Sequence, residues 1–193
     1  MDTRKLIEFM GILEKLKCNT RHSWTSSGRR ESVAEHSWRL AMLCLLVRDR
    51  LAGIDPDKLL KMCLIHDIGE AVCGDIPSFE KTEADDCEER QAVEYLLAQL
   101  PEPLCQEWSA LFAEMRAMET PEAKAWRALD MMEAVFQHNE ADLSTWLPLE
   151  RELNLTYGAQ EAEAFAWLAQ LRAALRKDSE KKLRDHRQAK AEQ

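Results

Sequence analysis

Leu59-Leu60-Lys61-Met62-Cys63-Leu64-Ile65-His66-Asp67-Ile68-Gly69-Glu70 decides how this chain is read. Its apolar residues recur at helical spacing, yet His66 and Asp67 stand side by side among them. A lone histidine on such a helix is more often a satisfied core residue than a ligand. A buried carboxylate without a partner costs several kcal/mol, so the adjacent pair shifts the balance, and a divalent metal would offset the cost. The helix begins at Asp55-Pro56, with Asp55 as cap and Pro56 at the first helical position. It is predicted to run to about Cys73.

Two more ionisable residues break apolar patterns elsewhere. His36 lies one turn into a helix that starts at Ser32, where Ser32-Val33-Ala34-Glu35 fits a capping box. That helix continues through Trp38, Leu40, Met42, Leu45 and Leu46 and ends near Gly53. Asp130 sits in Trp126-Arg127-Ala128-Leu129-Asp130-Met131-Met132, on a helix capped by Thr120-Pro121, and periodicity turns it inward. Its other reading is a buried ion pair with Arg127. Together, two imidazoles and two carboxylates make a mixed nitrogen and oxygen set suited to a hard or borderline divalent ion. Four protein ligands leave open positions on a six-coordinate ion, as hydrolysis requires.

The rest of the chain reads as more helix. Residues 4 to 17 carry an amphipathic pattern, and Cys18 to Arg30 is polar and irregular, which predicts a loop. Gly74 to Lys81 is a second loop. Helices are expected over Glu83 to Leu100 and from Pro101-Glu102-Pro103 to about Met118. Pro148 and Tyr157-Gly158 punctuate the end of the compact part, and a last amphipathic helix runs from Gln160 onward. The expected fold is all-α: one helical bundle with the metal site in its core. Residues 1–158 form the main body, and residues 159–193 add a C-terminal helix and basic tail to the same domain.

Composition agrees. The 193 residues are 46% hydrophobic and 32% charged, an ordinary globular balance, and six glycines and six prolines leave long uninterrupted stretches for helix. No apolar run approaches the roughly 20 residues of a membrane span, and the first residues show no secretory pattern, so no membrane association and a cytoplasmic location are expected. None of the six cysteines forms a Cys-x-x-Cys pair, which argues against a zinc ribbon and for free thiols in a reducing compartment. A net charge of −9 argues against nucleic acid as a partner. Residues 172–193 run the other way, with eight Lys or Arg against four Asp or Glu.

At these residues the chain resembles the HD-domain superfamily of metal-dependent phosphohydrolases. Within it, Glu31-Ser32-Val33-Ala34-Glu35-His36-Ser37 looks like the first-histidine motif of the HD-domain 5′-deoxynucleotidases. His66-Asp67-Ile68-Gly69-Glu70 followed by Gly74-Asp75-Ile76 looks like their central motif. Glu88-Glu89-Arg90-Gln91-Ala92 and the segment from Ala123 to Asp130 fit the later ones. The match covers residues 4 to 158.

The resemblance implies that His36, His66, Asp67 and Asp130 hold a divalent ion (Mn, Co, Mg, Fe or Ni). It implies acid/base or substrate-orienting roles for Glu70 and Asp75. If the helix continues unbroken, Glu70 shares a face with His66. A solvated helix charge, a turn residue, or ligation of a second ion are their other readings. It further implies that Arg21 binds phosphate and Trp24 packs on the sugar or base, where the plain alternatives are a surface arginine and a loop tryptophan. In some family members the Arg and Trp are adjacent, whereas here His22 and Ser23 intervene. His22 has two readings, an extra substrate contact and, as the expected one, an exposed loop residue, and His138 and His186 are expected on the surface.

The activity so implied is hydrolysis of a nucleoside 5′-monophosphate, a deoxynucleotide by preference, by a homodimer. Glu70 would orient or deprotonate water and Asp75 would assist the departing 5′-oxygen, with the two roles open to exchange. Alternatives are an HD phosphohydrolase acting on a triphosphate or cyclic nucleotide, and a non-catalytic helical module with a structural metal.

Overall fold

The computed structural model describes residues 1–191. α1 (Thr3–Leu13) and α2 (Lys15–Cys18) lead into a hairpin of β1 (Thr20–Trp24) and β2 (Arg30–Ser32). Then come α3 (Val33–Val47), α4 (Pro56–Ile65), α5 (Glu70–Cys73), α6 (Glu83–Leu97) and α7 (Glu102–Ala117). α8 (Pro121–Glu140), α9 (Glu150–Thr156), α10 (Ala159–Ala162) and α11 (Ala166–Ala191) complete the chain. The architecture is all-α, with one two-stranded antiparallel ribbon among the described residues.

Local chemistry sets the boundaries. Ser32 Oγ accepts from the Glu35 amide while the Glu35 carboxylate accepts from the Ser32 amide, so the expected capping box starts α3. Asp55 caps α4 by accepting from the amides of Asp57 and Lys58, with Pro56 in the first turn. Thr120 caps α8 in the same way, accepting from Ala123.

The core has two halves that share α4. On one side Leu59 and Cys63 pack with Leu40 and Cys44 of α3, Leu129 and Met132 of α8, and Leu168 and Leu175 of α11. On the other, Met62 and Ile65 pack with Phe9, Leu16, Leu96, Leu111, Phe112 and Met115. α4 lies between these layers, with Asp57 and Lys61 on its exposed side. Leu40, Leu59 and Leu129 are fully buried, and each contributes about 1.5–3 kcal/mol of transfer free energy. α11 covers this core with Leu168 and Leu175, which sit in the same cluster as Leu129.

Four expectations about elements need correction. Residues 20–24 and 30–32 are strands, paired Thr20 with Ser32 and Trp24 with Arg30, where the sequence predicts a loop. The hairpin is short and irregular in register, so it leaves no clean alternation to read. The helix expected to reach Cys73 ends at Ile65, because the next residues tighten into turns in which the amides of Ile68, Glu70 and Ala71 bond back to the third residue before them. The helix expected to reach Gly53 ends at Val47, with a 3-10 turn over Arg48–Arg50. The last long helix starts at Ala166, six residues later than expected, after α10.

Candidate metal centre and substrate cavity

His36 comes from α3, His66 and Asp67 from the tight turns that end α4, and Asp130 from the middle of α8. The fold brings all four together. His36 Nε2 lies 3.1 Å from Asp130 Oδ1 and 3.8 Å from Asp67 Oδ2. His66 Nε2 lies 3.0 Å from Asp67 Oδ2 and 3.7 Å from Asp130 Oδ1. Both imidazoles are buried.

The second nitrogen of each ring fixes its tautomer. His66 Nδ1–H donates to the Cys63 carbonyl at 3.0 Å, so Nε2 carries a lone pair. That buried Nε2 has no hydrogen-bond partner among the described residues. His36 Nδ1–H donates to Glu133 Oε2, a fully buried carboxylate, which leaves its Nε2 facing the same point. Ligand atoms of His36, His66 and Asp67 lie within 4.8 Å of one another, Asp130 Oδ1 lies 3.1 and 3.7 Å from the two Nε2 atoms, and the orphaned His66 nitrogen is what a bound cation would satisfy. The donor set fits a divalent metal.

Charge at the site is tuned by neighbours. Burial opposes ionisation of Asp67, but His66, His36 and Arg21 hold it down at about 2. Burial opposes Asp130 as well, and His36, His66 and Arg127 hold it far below the carboxylate range. Burial and Arg21 pull His36 down, but Glu133 and Asp130 outweigh them and raise it to about 10. That proton is the one a cation displaces. Glu70 behaves oppositely: burial, then the charges of Asp67 and Asp75, push it up to about 10. Burial also raises Asp75, against the pull of Arg21.

A cavity opens over the centre, lined by Arg21, Asp67, Glu70, Asp75, Lys81, Arg127 and Asp130. Arg21 Nη1 lies 3.4 Å from Asp67 Oδ2, and its Nε lies 3.5 Å from the buried Glu31. Glu70 reaches the cavity from the first turn of α5, not from a shared face with His66. Asp75 follows Gly74, whose φ of 83° makes the turn out of α5. Arg127 Nη1 donates to Asp130 Oδ2 at 3.1 Å, so the ion pair considered for Asp130 forms and leaves Oδ1 toward His36.

Trp24 lies away from this cavity. Arg30 stacks on its ring 4.5 Å from the centroid, and its carbonyl accepts from Gln137. His22 and His138, expected outside the site, instead line the cavity. His138 is largely buried between Ser23, Asn154 and Glu150 because the hairpin and α9 close over α8. Glu31, Glu133 and Glu150 were not legible as site residues. Glu133 alone left a signal, since it follows Asp130 by three positions on one helix and so shares its face.

The family model described as HD domain matches residues 13–172. The 5′-deoxynucleotidase HDDC2 of Bos taurus is 29% identical over 71% of this chain and 68% of its own length. The 5′-deoxynucleotidase hdd1 of Schizosaccharomyces pombe is 29% identical over 86% of this chain and 81% of its own. A crystal structure from Magnetospirillum magnetotacticum, described as a predicted metal-dependent phosphohydrolase, superposes with a TM-score of 0.82 at 28% identity, covering 93% of each chain.

Proposed function

This chain belongs to the HD domain family, and from that premise we propose that it is a metal-dependent phosphomonoesterase that hydrolyses deoxynucleoside 5′-monophosphates to nucleoside and phosphate. The observation that carries the reading is the orphaned Nε2 of His66, set among His36, Asp67 and Asp130, the last two of which line a cavity together with Arg21. The substrate class follows relatives named 5′-deoxynucleotidases.

His36, His66, Asp67 and Asp130 hold the divalent ion. When bound, such an ion supplies positive charge to the phosphoryl oxygens and acidifies water at the site. Mn, Co, Mg, Fe and Ni all suit this donor set. Arg21 takes the phosphate with its planar fork, balancing charge that the acidic cavity otherwise repels. Arg127 and Lys81 line the same cavity and add cations near it.

Glu70 and Asp75 manage the protons. Water attacks phosphorus, the bond from phosphorus to the 5′-oxygen breaks, and that oxygen leaves with a proton. Glu70, pushed up to about 10, holds a proton and suits its delivery to the departing oxygen. Asp75 then takes the proton of the attacking water. This is the exchanged form of the roles first considered for the pair.

A homodimer is the assembly we favour. α11 spends its apolar face on its own core, but Leu6, Ile7 and Met10 of α1 and Trp38, Met42, Leu45 and Leu46 of α3 are exposed. No helix among the described residues is long and apolar enough to cross a membrane. The six free cysteines suit a reducing, cytoplasmic setting.

The test is phosphate release from metal-stripped protein given Mn, Co or Mg, with deoxynucleoside and ribonucleoside 5′-monophosphates, 3′-monophosphates and triphosphates. Metal-dependent release from deoxynucleoside 5′-monophosphates is expected. Glu70→Ala should cut turnover while retaining metal, and undiminished activity would remove Glu70 from the mechanism. Release from triphosphates alone would overturn the substrate class.

A further inference from the structure

The end of the cavity beyond Arg21 holds polar groups that the reaction above does not use. Glu150 is 1% exposed and Asn154 is 2% exposed, and both line the cavity with His22 and His138. Glu150 Oε2 accepts from the Leu147 amide at 2.6 Å, but Oε1 has no hydrogen-bond partner among the described residues. Asn154 Oδ1 accepts from His138 Nδ1–H at 2.9 Å, while its Nδ2 has none. Arg30 Nη1 sits 3.3 Å from His22 Nδ1 and can only donate, so the proton of His22 is on Nε2. That Nε2–H lies 3.1 Å from Glu150 Oε1, yet it too is without a hydrogen-bond partner. Arg172 anchors this wall by donating to the carbonyls of Asn154 and Tyr157.

Two donors and one acceptor therefore face one cavity: Asn154 Nδ2 has no partner among the described residues, and His22 Nε2–H and Glu150 Oε1 are in contact without hydrogen-bond alignment. A hydroxyl group donates once and accepts twice, which matches this set of one acceptor and two donors. An N–H on a base edge would satisfy Glu150 but leave the two donors to find acceptors elsewhere. The cluster begins one residue along β1 from Arg21, and a sugar hydroxyl lies only a few bonds from a 5′-phosphate. A 2′-deoxynucleoside 5′-monophosphate has a single free sugar hydroxyl, at the 3′ position.

We propose that Glu150, Asn154 and His22 form a subsite for the 3′-hydroxyl of the substrate, and so determine specificity for nucleotides whose 3′ position is free. This rests on the 5′-monophosphatase reading above. A 3′-phosphate would bring its charge against the buried Glu150 carboxylate, which makes the subsite a filter against nucleotides still joined at their 3′ side.

The experiment compares 2′-deoxyadenosine and 2′,3′-dideoxyadenosine 5′-monophosphates on the full chain loaded with Mn. Losing a hydroxyl that satisfies buried polar groups is expected to lower kcat/KM at least about 100-fold. Calorimetry with the metal-free chain should show weaker binding of the dideoxy compound. Glu150→Gln keeps the shape but sets an amide donor against His22, and should shrink the ratio below about tenfold by slowing the deoxynucleotide. Asn154→Asp should act in the same direction, and the wild-type ratio decides the matter should neither variant fold. Equal kcat/KM for the two substrates would overturn the subsite while leaving the phosphatase reading intact. A shift in base preference with the dideoxy ratio unmoved would overturn it in favour of base recognition. No release from any nucleotide, with metal bound, would overturn the phosphatase reading and the subsite with it.

Discussion

Glu133 reaches the metal centre only through His36 Nδ1. It orients the ring and keeps the Nε2 lone pair available, as carboxylates behind metal-binding histidines generally do. Glu133→Gln should therefore weaken metal affinity by about 10–100-fold with helicity unchanged, as read by competition with a chelating dye. The four proposed ligands drew notice in the sequence because imidazoles and carboxylates inside apolar helices need a reason to be there. Glu133, Glu31 and Glu150 are equally buried, but Glu31 and Glu150 stand beside polar neighbours in sequence, and Glu133 is marked only by following Asp130 by three positions on one helix. Trp24 shows the reverse failure. A motif position was filled by the right residue type, and the strand carried its ring to Arg30 instead of the cavity.

Helix starts were readable because caps are local, and their energetics can be tested locally. Ser32→Ala removes the acceptor for the Glu35 amide and should cost about 1 kcal/mol of stability by chemical denaturation. Glu35 adds a pH dependence. The Arg29 side chain, then the Ser32 amide, hold its carboxyl down at about 2, below the ordinary 4.5. Its contribution is thus complete above about 4.5 and is lost as pH falls toward 2. Glu35→Gln should flatten that part of the stability profile, whereas an unchanged profile would assign the acid sensitivity elsewhere. Helix ends were less readable. The chain between His66 and Gly69 keeps helical residue types while its hydrogen bonds tighten, and the hairpin is too short to announce itself. Gly158 was legible only as punctuation. Its φ is +73°, and a Cβ there would lie 2.9 Å from Met131 Cβ, beside Asp130. Gly158→Ala should destabilise the fold by at least about 2 kcal/mol, measured by thermal melting.

At the scale of the molecule, an ion held by the four proposed ligands would tie α3, the end of α4 and α8 together. An ion that binds only the folded state at a hundred times its dissociation constant adds about 2.7 kcal/mol. For a chain of this size that corresponds to a rise in Tm of roughly 5–10 °C on adding Mn, reversed by chelator. An unchanged Tm with Mn bound would mean that the unfolded chain holds it as well. The all-α bundle was legible from helical spacing and scarce glycine. The closing of the hairpin and α9 over α8 was not, since it is tertiary and leaves no local mark. The same layout orders events during synthesis. His36 and Asp130 are 94 positions apart. The coordination sphere is incomplete until about two thirds of the chain has left the ribosome. Nascent chains stalled before residue 130 should lose Mn on gel filtration. The choice of resident ion is then a late event, open only once Asp130 has joined the two histidines and Asp67.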